Sequence, residues 1–558
     1  MTDGGVFLRD KRLEKEQTIN RALAFYLCLF LIFCGLLVRL GYIQLREGRV
    51  LEVSANRQYC NEEDTTNHKY KLLDRKGLSL FQGENKYFAV IDPMVFYTLN
   101  DTERFPDMKN ISYVIKNYNK EYDITALQDH MEGGRVRYEV DEETYNRIRE
   151  VQDLKGIYTF QYEYYEDVYD WNIKNVLYHW ENYSDHTVLK DEGTIEREIY
   201  ENVKDNIIDR YRFEEDVSRN IIDVKTESKK DNNNILTTLD GNIQSRIQDI
   251  LKSEPYNNFK QIGAVLMDCS DGNILAMAQK NDSLSNVNIG VPGGHGFYLG
   301  SVFKTVVYAT ALENNTVSKE EKFDVKGIFK NSIEKRSSYN INEAYTASSN
   351  EAFAQIAWKT GVGNIYKMAA SLGLFDKALE LQDERCGIME GYGEEPGENI
   401  ITNTAIGQTI RVTPLEVLAL PTTIVNRGLY IKPAIIDSIV NEEGVVKEYE
   451  REKRQVMSKE VADTIKQSMI SVVEDSMGTG GNAAVEGIEI GGKTGTSEYL
   501  EEEKKCSDGW FAGFFKLNGR YYSMVVFIPQ SEDNMGDSKT ACSVFKDIVK
   551  AIDEEGLL

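Results

Sequence analysis

Residues 297–304 read Phe297-Tyr298-Leu299-Gly300-Ser301-Val302-Phe303-Lys304, and how this stretch is read decides the fold. Gly300 closes a turn. Ser301 to Glu313 has the composition and apolar density of a buried helix. On a helix, Ser301 and Lys304 share one face. A serine at a helix N-terminus with a lysine amine over it is equipped for nucleophilic chemistry. The lysine takes the hydroxyl proton, and the orphan N–H groups of the first turn stabilise an oxyanion. The pattern recurs at Ser332–Lys335 and, as the same four letters SVFK, at Ser543–Lys546. An ordinary serine and a surface lysine on a helix explain any one copy, so the rest of the chain must choose among them.

The chain has 558 residues, enough for several domains, and its 41% hydrophobic content supports ordinary globular cores. The formal net charge of −25 argues against nucleic acid as a partner, because binding a polyanion needs Lys and Arg on its phosphates. Seven cysteines are present, at 28, 34, 60, 269, 386, 506 and 542. The first two lie in the apolar N-terminal segment. The other five are scattered, which is no disulfide framework, and they read as buried thiols or as ligands for a metal.

Residues 1–21 are polar and carry five Lys/Arg; Ala22 to Val38 is a run of seventeen residues without charge, continuing past Arg39 to Leu45. That length spans a bilayer as a helix. A cleaved signal peptide is the alternative, but no small-x-small cleavage site follows. The reading is an anchor over 22–45, with 1–21 as a cytoplasmic tail because of its basic residues. Everything beyond then lies outside the membrane.

Residues 46–234 form a mixed region. Leu45 to Gln58 continues helically, Lys71 to Leu80 reads as strand, turn and strand, and 142–155 as a short amphipathic helix. Tyr158 to Tyr183 is Tyr-rich and acidic. It reads either as a stacking surface for sugars or, more simply, as tyrosines on a half-buried sheet. The polar run 214–234 ends in three asparagines and marks a domain boundary. Over 235–558 the pattern predicts strands at Leu236–Asp240, around a hairpin at Ser270-Asp271-Gly272, and at Ala483–Ile490, Trp510–Phe515 and Tyr521–Ile528. Helices are expected at Gly241–Lys252 and Ser538–Ile552, with a largely helical region between. The expected class is α/β (α+β), an antiparallel sheet with helices on both faces.

Downstream of Ser301, Ser348 and Asn350 stand two apart just before a helix, and Lys493-Thr494-Gly495-Thr496 follows a strand. Lys359-Thr360-Gly361 imitates the latter, but Gly361 is explained as a helix C-cap. The ordered set spans 47 residues from Ser301 to Ser348 and 145 from Ser348 to Lys493. Ser543 has neither element after it; Ser301 and Ser332 have both, and of these two Ser301 opens the apolar helix. These elements, in this order, mark penicillin-binding proteins and serine β-lactamases.

From about residue 235 the chain resembles the transpeptidase domain of a penicillin-binding protein. Gly407-Gln408-Thr409, Val412-Thr413-Pro414-Leu415 and Trp510-Phe511-Ala512-Gly513-Phe514 also match that family. The N-terminal half resembles the monofunctional, class B members, with one transmembrane helix, an Asp74-Arg75-Lys76-Gly77 turn and a linker-like Gly193-Thr194-Ile195-Glu196 ahead of 235; 46–234 would be an elongated pedestal of the dimerisation type. The resemblance implies a peptidoglycan D,D-transpeptidase, single-pass in the cell membrane, with its catalytic domain extracellular. Its substrates would be stem peptides ending in D-Ala-D-Ala. β-Lactams would be inhibitors, and a membrane glycosyltransferase of the elongation or division type a partner. Ser301 would be the nucleophile, Lys304 the base, Ser348 and Asn350 a proton relay, and Lys493, Thr494 and Thr496 the carboxylate site. Leu299 stands where relatives carry proline, which would loosen the turn. No cofactor is required for this chemistry. Alternatives on the same motifs are a membrane-anchored β-lactamase or a non-catalytic β-lactam sensor or scaffold.

His295 is the only histidine in the catalytic half, six residues before Ser301, so lysine is the simpler base. Antiparallel pairing could bring Cys506 and Cys542 together, and with Asp508 or His295 they would make a tetrahedral structural zinc site. Two independent buried thiols are the alternative.

Overall fold

The computed structural model describes residues 4–44, 60–129, 134–151, 153–166, 168, 170–178, 190–290, 294–329, 334–392, 397–501, 504–530 and 537–558. The helix expected over Leu45–Gln58, the Ser332 of the second Ser-x-x-Lys copy and the end of the Tyr-rich stretch lie outside these residues. A helix runs Gly4–Tyr42, and within it Thr18–Tyr42 is long and apolar enough to cross a bilayer.

Contacts divide the chain into two compact units. One comprises Met1–Asn67, Glu84–Tyr164 and Ile208–Ser228; the other comprises His68–Gly83, Tyr165–Ile207 and Lys229–Leu558.

The first unit holds two three-stranded antiparallel sheets. In one, Arg210–Glu215 lies between Cys60–Asp64 and Ile221–Glu227; in the other, Glu84–Ile91 lies between Val136–Val140 and Ile157–Tyr164. Ala89, Ile91 and Tyr138 from the second sheet pack on Ile111, Ile115 and Ile148 of the helices Phe105–Tyr118 and Glu142–Arg149. The alternate residues Val90, Tyr158 and Phe160 face the other way and pack with Phe213. Over Tyr158–Tyr164 this is the half-buried sheet of tyrosines that the sequence suggested, whereas Tyr165 and Tyr178 belong to the second unit.

The second unit is built on a five-stranded antiparallel sheet in the order Ile274–Gln279, Gly263–Asp268, Arg520–Ile528, Lys504–Leu517, Ile490–Glu501. Both faces are covered, so the strands read as nearly continuous apolar runs. Val265, Met267, Trp510, Val525 and Phe527 belong to the core on one face. Their neighbours Leu266, Phe511, Val526 and Ile528 belong to the other, under the helices Gly241–Leu251 and Ser538–Glu554. The expected sheet with helices on both faces is present.

Two sequence expectations need correction. No strand covers Ala483–Ile490; a 3₁₀ turn at Gly481–Ala483 precedes a strand that begins at Ile490. Asn234–Thr237 does not join the main sheet but pairs with Ile436–Asn441 and, in parallel, with Leu72–Leu73. Local pattern carries a strand's existence but not its partner, which here comes from more than 160 residues upstream and about 200 downstream.

Candidate active site

The helix Lys304–Glu313 is buried on every side, from Lys304 through Leu312. A helix apolar all round sits in the centre of a core, and Lys304 is at its first turn with no exposed surface. The preceding 3₁₀ turn, Gly300–Phe303, carries Ser301, which is half-buried.

Three contacts fix that turn. Phe297–Tyr298 pairs with Ile410–Val412, and the Leu299 N–H extends the pairing by donating to the Ile410 carbonyl at 3.0 Å. A proline could not make that bond. Leu299 is also fully buried, so packing and this bond both hold the turn. Gly300 donates to the Gly407 carbonyl at 3.2 Å and has φ +60°; a side chain there would meet the Thr496 carbonyl oxygen at 2.7 Å. The nucleophile's turn thus lies directly on the edge strand of the sheet. Gly407 has φ +75°, and a Cβ on it would fall 2.1 Å from the Gly300 oxygen. Gly407→Ala is therefore expected to lower stability by about 2–4 kcal/mol, combining left-handed strain with overpacking. It should slow acylation of Ser301 as well. A thermal melt together with a penicillin-labelling time course checks both.

Ser348 ends the helix Ile341–Ala347 in the left-handed region, φ 58° and ψ 39°. A non-glycine residue there carries strain of order 1 kcal/mol. Ser349 caps the next helix, Asn350–Thr360, accepting from the Ala352 N–H at 3.2 Å. This break aims both the Ser348 carbonyl and the Asn350 side chain at Lys304. The Lys304 amine donates to Ser348 O at 2.7 Å, to Ser348 Oγ at 3.3 Å and to Asn350 Oδ1 at 2.7 Å. From the edge strand, Lys493 Nζ donates to the same Ser348 Oγ at 3.0 Å and to the Thr494 carbonyl at 3.1 Å. One hydroxyl bridges two buried lysines.

Burial, and after it the positive charge of Lys493, holds the Lys304 amine well below the usual lysine range; Glu334 acts weakly in the opposite sense. Burial brings Lys493 down to about 7, with Cys542 opposing. Burial disfavours both ammonium forms, and the like charge of Lys493 adds to this at Lys304. The result for Lys304 is an amine that holds a proton less tightly than an ordinary lysine does.

Of the residues expected from sequence, Lys304, Ser348, Asn350 and Lys493 meet by side-chain contact, and Ser301 and Thr496 are brought together through Gly300. Thr494 Oγ1 shares a hydrogen bond of 2.5 Å with Thr479 Oγ1, and the exposed Thr496 donates to Ser538 Oγ at 3.2 Å. Tyr345 was not anticipated. It is fully buried, bonded to Thr305 Oγ1 at 2.8 Å, and its ring lies 5.7 Å from the Lys493 amine. Its position three residues before Ser348 was the only available signal. The other copy, Ser543, lies along the last helix with its hydroxyl on the Lys539 carbonyl at 3.1 Å. Gly361 closes its helix with φ 80°, as expected of the Lys-Thr-Gly imitation.

The zinc proposal does not hold. Among the described residues, no three His, Cys, Asp or Glu side chains form a group fit for a metal. Cys506 pairs with Tyr499 and Asp508 with Ser497, whereas Cys542 interacts with Lys493, which pairs with Ala512. Six residues of extended strand separate Cys506 from Ala512, about 20 Å. The last helix starts over Gly509, whose absent Cβ would strike Asp537, and has moved away along the sheet before Cys542 is reached. Asp508 is engaged by the Gln530 N–H at 2.9 Å and the Tyr499 hydroxyl at 3.3 Å, and His295 is exposed.

Residues 262–550 match the family of the penicillin binding protein transpeptidase domain. The chain is 28% identical to the penicillin-binding protein PbpB of Mycolicibacterium smegmatis over 57% of its own length and 54% of that relative. It is 26% identical to the stage V sporulation protein D of Bacillus subtilis over 89% of its length and 79% of the relative. The match thus spans about half of the mycobacterial protein. Among solved structures, a peptidoglycan synthetase from Bifidobacterium adolescentis superposes with a TM-score of 0.63 over 89% of this chain and 97% of that one, at 16% identity. Penicillin binding protein 3 from Mycobacterium tuberculosis, complexed with aztreonam, gives 0.59 over 89% and 98%, at 17% identity. Identities this low speak for the fold alone.

Proposed function

The chain belongs to the penicillin-binding-protein transpeptidase family, matched over half its length, and from that premise we propose that it is a peptidoglycan D,D-transpeptidase working through a serine acyl-enzyme. The observation that carries this reading is the buried Lys304 amine, seated between Ser348 and Asn350 one turn from Ser301, with its proton affinity lowered by that burial.

Ser301 Oγ attacks the penultimate D-alanine carbonyl of a stem peptide while Lys304 takes its proton. The backbone N–H groups of Ser301 and Thr496 receive the oxyanion, at about 3–4 kcal/mol per donor. Lys493, with the Thr494 and Thr496 hydroxyls, holds the terminal carboxylate. Ser348, bonded to both amines, passes a proton to the departing D-alanine. An amine of a neighbouring stem then attacks the acyl carbonyl; the ester bond to Ser301 Oγ breaks, the amine's proton passes through Lys304 to that oxygen, and the cross-link is left as an amide. A β-lactam would enter as a substrate whose leaving group stays tethered, so the acyl-enzyme persists. None of these steps needs a metal or cofactor.

The membrane arrangement follows from the basic residues ahead of the apolar helix. The N-terminus is cytoplasmic, 22–45 crosses once, 46–234 forms a pedestal and 235–558 carries out the chemistry outside. A membrane glycosyltransferase supplying the glycan strands is the natural partner. The test is the purified chain in detergent with a pentapeptide stem and an amine acceptor. One D-alanine should be released per cross-link formed. Release without any cross-link would make the protein a hydrolase, and rapid turnover of a bound penicillin would make it a β-lactamase.

A further inference from the structure

The Tyr-rich stretch is the sequence feature that the catalytic site does not absorb. On the strand Ile157–Tyr164 the even-numbered residues share one face. At one end of that face Tyr158 and Phe160 are covered by Phe213. At the other end the face opens into a groove of about 560 Å³, walled by the strand Cys60–Asp64 and by Arg210. That volume lies within the range of small-ligand sites, about 300–1,000 Å³.

The floor is aromatic. Phe88 stacks on Phe160 at 5.1 Å and meets Tyr162 edge-on at 6.1 Å, while Lys86 lies 4.2 Å over the Tyr164 ring. The rim is polar and already paired. Arg210 bonds Asp64 at 2.7 Å and Glu62 at 3.3 Å, and Lys86 lies 3.6 Å from Glu139. Arg137 pairs with Glu63, a buried carboxylate that also accepts from the Tyr158 hydroxyl at 2.8 Å, and its guanidinium lies 5.5 Å from the Phe160 ring centre. Arg137 nevertheless keeps 57% of its side-chain exposure, so it offers donors to the groove. These pairs hold the rim side chains in place before any ligand arrives, which lowers the ordering a ligand must impose.

Four carboxylates face three cations, so the groove is close to neutral. A polyanion has no net field to follow, and an apolar helix would have to strip seven charged groups of water. The half-buried Phe88 and Tyr162 rings, bordered by fixed carboxylates and a guanidinium, suit a neutral, hydroxyl-rich ligand: C–H faces pack on these rings while hydroxyl and amide groups bond to the rim. We propose that this groove binds an N-acetylated amino-sugar chain, the acetamido carbonyl accepting from Arg137 or Lys86 and the hydroxyls donating to the carboxylates. Its use in gripping the glycan of the polymer rests on the transpeptidase reading above.

The test is calorimetric titration of the full chain in detergent with chitotetraose, the β-1,4-linked N-acetylglucosamine tetramer. Cellotetraose, which lacks the acetamido groups, and poly(glycerol phosphate) serve as comparisons. Chitotetraose should bind saturably and cellotetraose about tenfold more weakly, with no binding of the polyanion. Tyr162→Ala and Arg137→Gln should each weaken chitotetraose about tenfold and leave the rate of penicillin acylation unchanged. Saturation-transfer NMR on the unmodified protein keeps the test decisive if either variant misfolds; it should show transfer to the sugar ring protons. Absent saturable binding, equal affinity for cellotetraose, tighter binding of the polyanion, or affinity unmoved in both variants would each overturn the proposal. Failure of the transpeptidase reading shows elsewhere, as loss of penicillin acylation, and is told apart from failure at the groove.

Discussion

Ser301→Ala is expected to leave no covalent adduct with a fluorescent penicillin, while the melting transition stays close to that of the unmodified protein. The hydroxyl is the only group lost, at a half-buried position of a turn held by backbone contacts through Leu299, Gly300 and Gly407. A change of this kind costs about 0.5–1 kcal/mol at most. Lys304→Met should keep slow labelling, down by about 10²–10⁴, the usual worth of a positioned base. Arginine at 304 should not restore it, because a guanidinium stays charged. The pH profile carries the same logic. Lys304 must be neutral to accept the proton, and its affinity for protons is depressed by burial and by Lys493. The labelling rate should therefore hold on the alkaline side and fall about tenfold per pH unit once the pH drops below that depressed value. Labelling that survives Ser301→Ala would sink the site assignment, and a flat profile on the acid side would remove Lys304 from the role of base.

Much of this site was legible because catalytic spacing is written locally. Ser301 to Lys304 is one helical turn, and Ser348 to Asn350 is a helix start. The main sheet was legible where hairpins are local, as at Ser270-Asp271-Gly272. What escaped depends on distant partners. The strand at Asn234 took its neighbours from both ends of the chain. The role of Leu299 became visible only with the Ile410 carbonyl opposite it. The zinc idea failed on distance along a strand, a quantity that motif spacing does not contain. Nor does sequence announce that Ser348 sits in the left-handed region, although that conformation lets one hydroxyl meet two amines.

Lys493→Met should move stability and activity in opposite directions. Lys493 is fully buried, and burial lowers its proton affinity from 10.5 to about 7. The sign follows from linkage. Between pH 7 and 10.5 the unfolded chain holds the proton more tightly than the folded one, so this lysine makes stability climb with pH. Below pH 7 both states are protonated and its penalty is complete, of order 5 kcal/mol at about 1.4 kcal/mol per pH unit. Methionine has similar length and no charge. Its introduction removes that penalty and loses the hydrogen bonds to Ser348 Oγ and the Thr494 carbonyl, each worth about 1–1.5 kcal/mol. The net expectation is a gain of about 2–3 kcal/mol near pH 6. The gain should shrink as pH rises and change sign toward pH 10, where the native lysine is already neutral but its hydrogen bonds remain. Denaturant melts of both proteins at three pH values would show this. Activity should meanwhile fall roughly a hundredfold in kcat/KM, the worth of a charge-assisted bond to the substrate carboxylate. A variant less stable than the parent at pH 6 would mean that Lys493 is held as a stabilising ion. A variant more stable but inactive would mean that the fold tolerates a buried, poorly solvated lysine because the substrate, arriving with its carboxylate, supplies the missing partner.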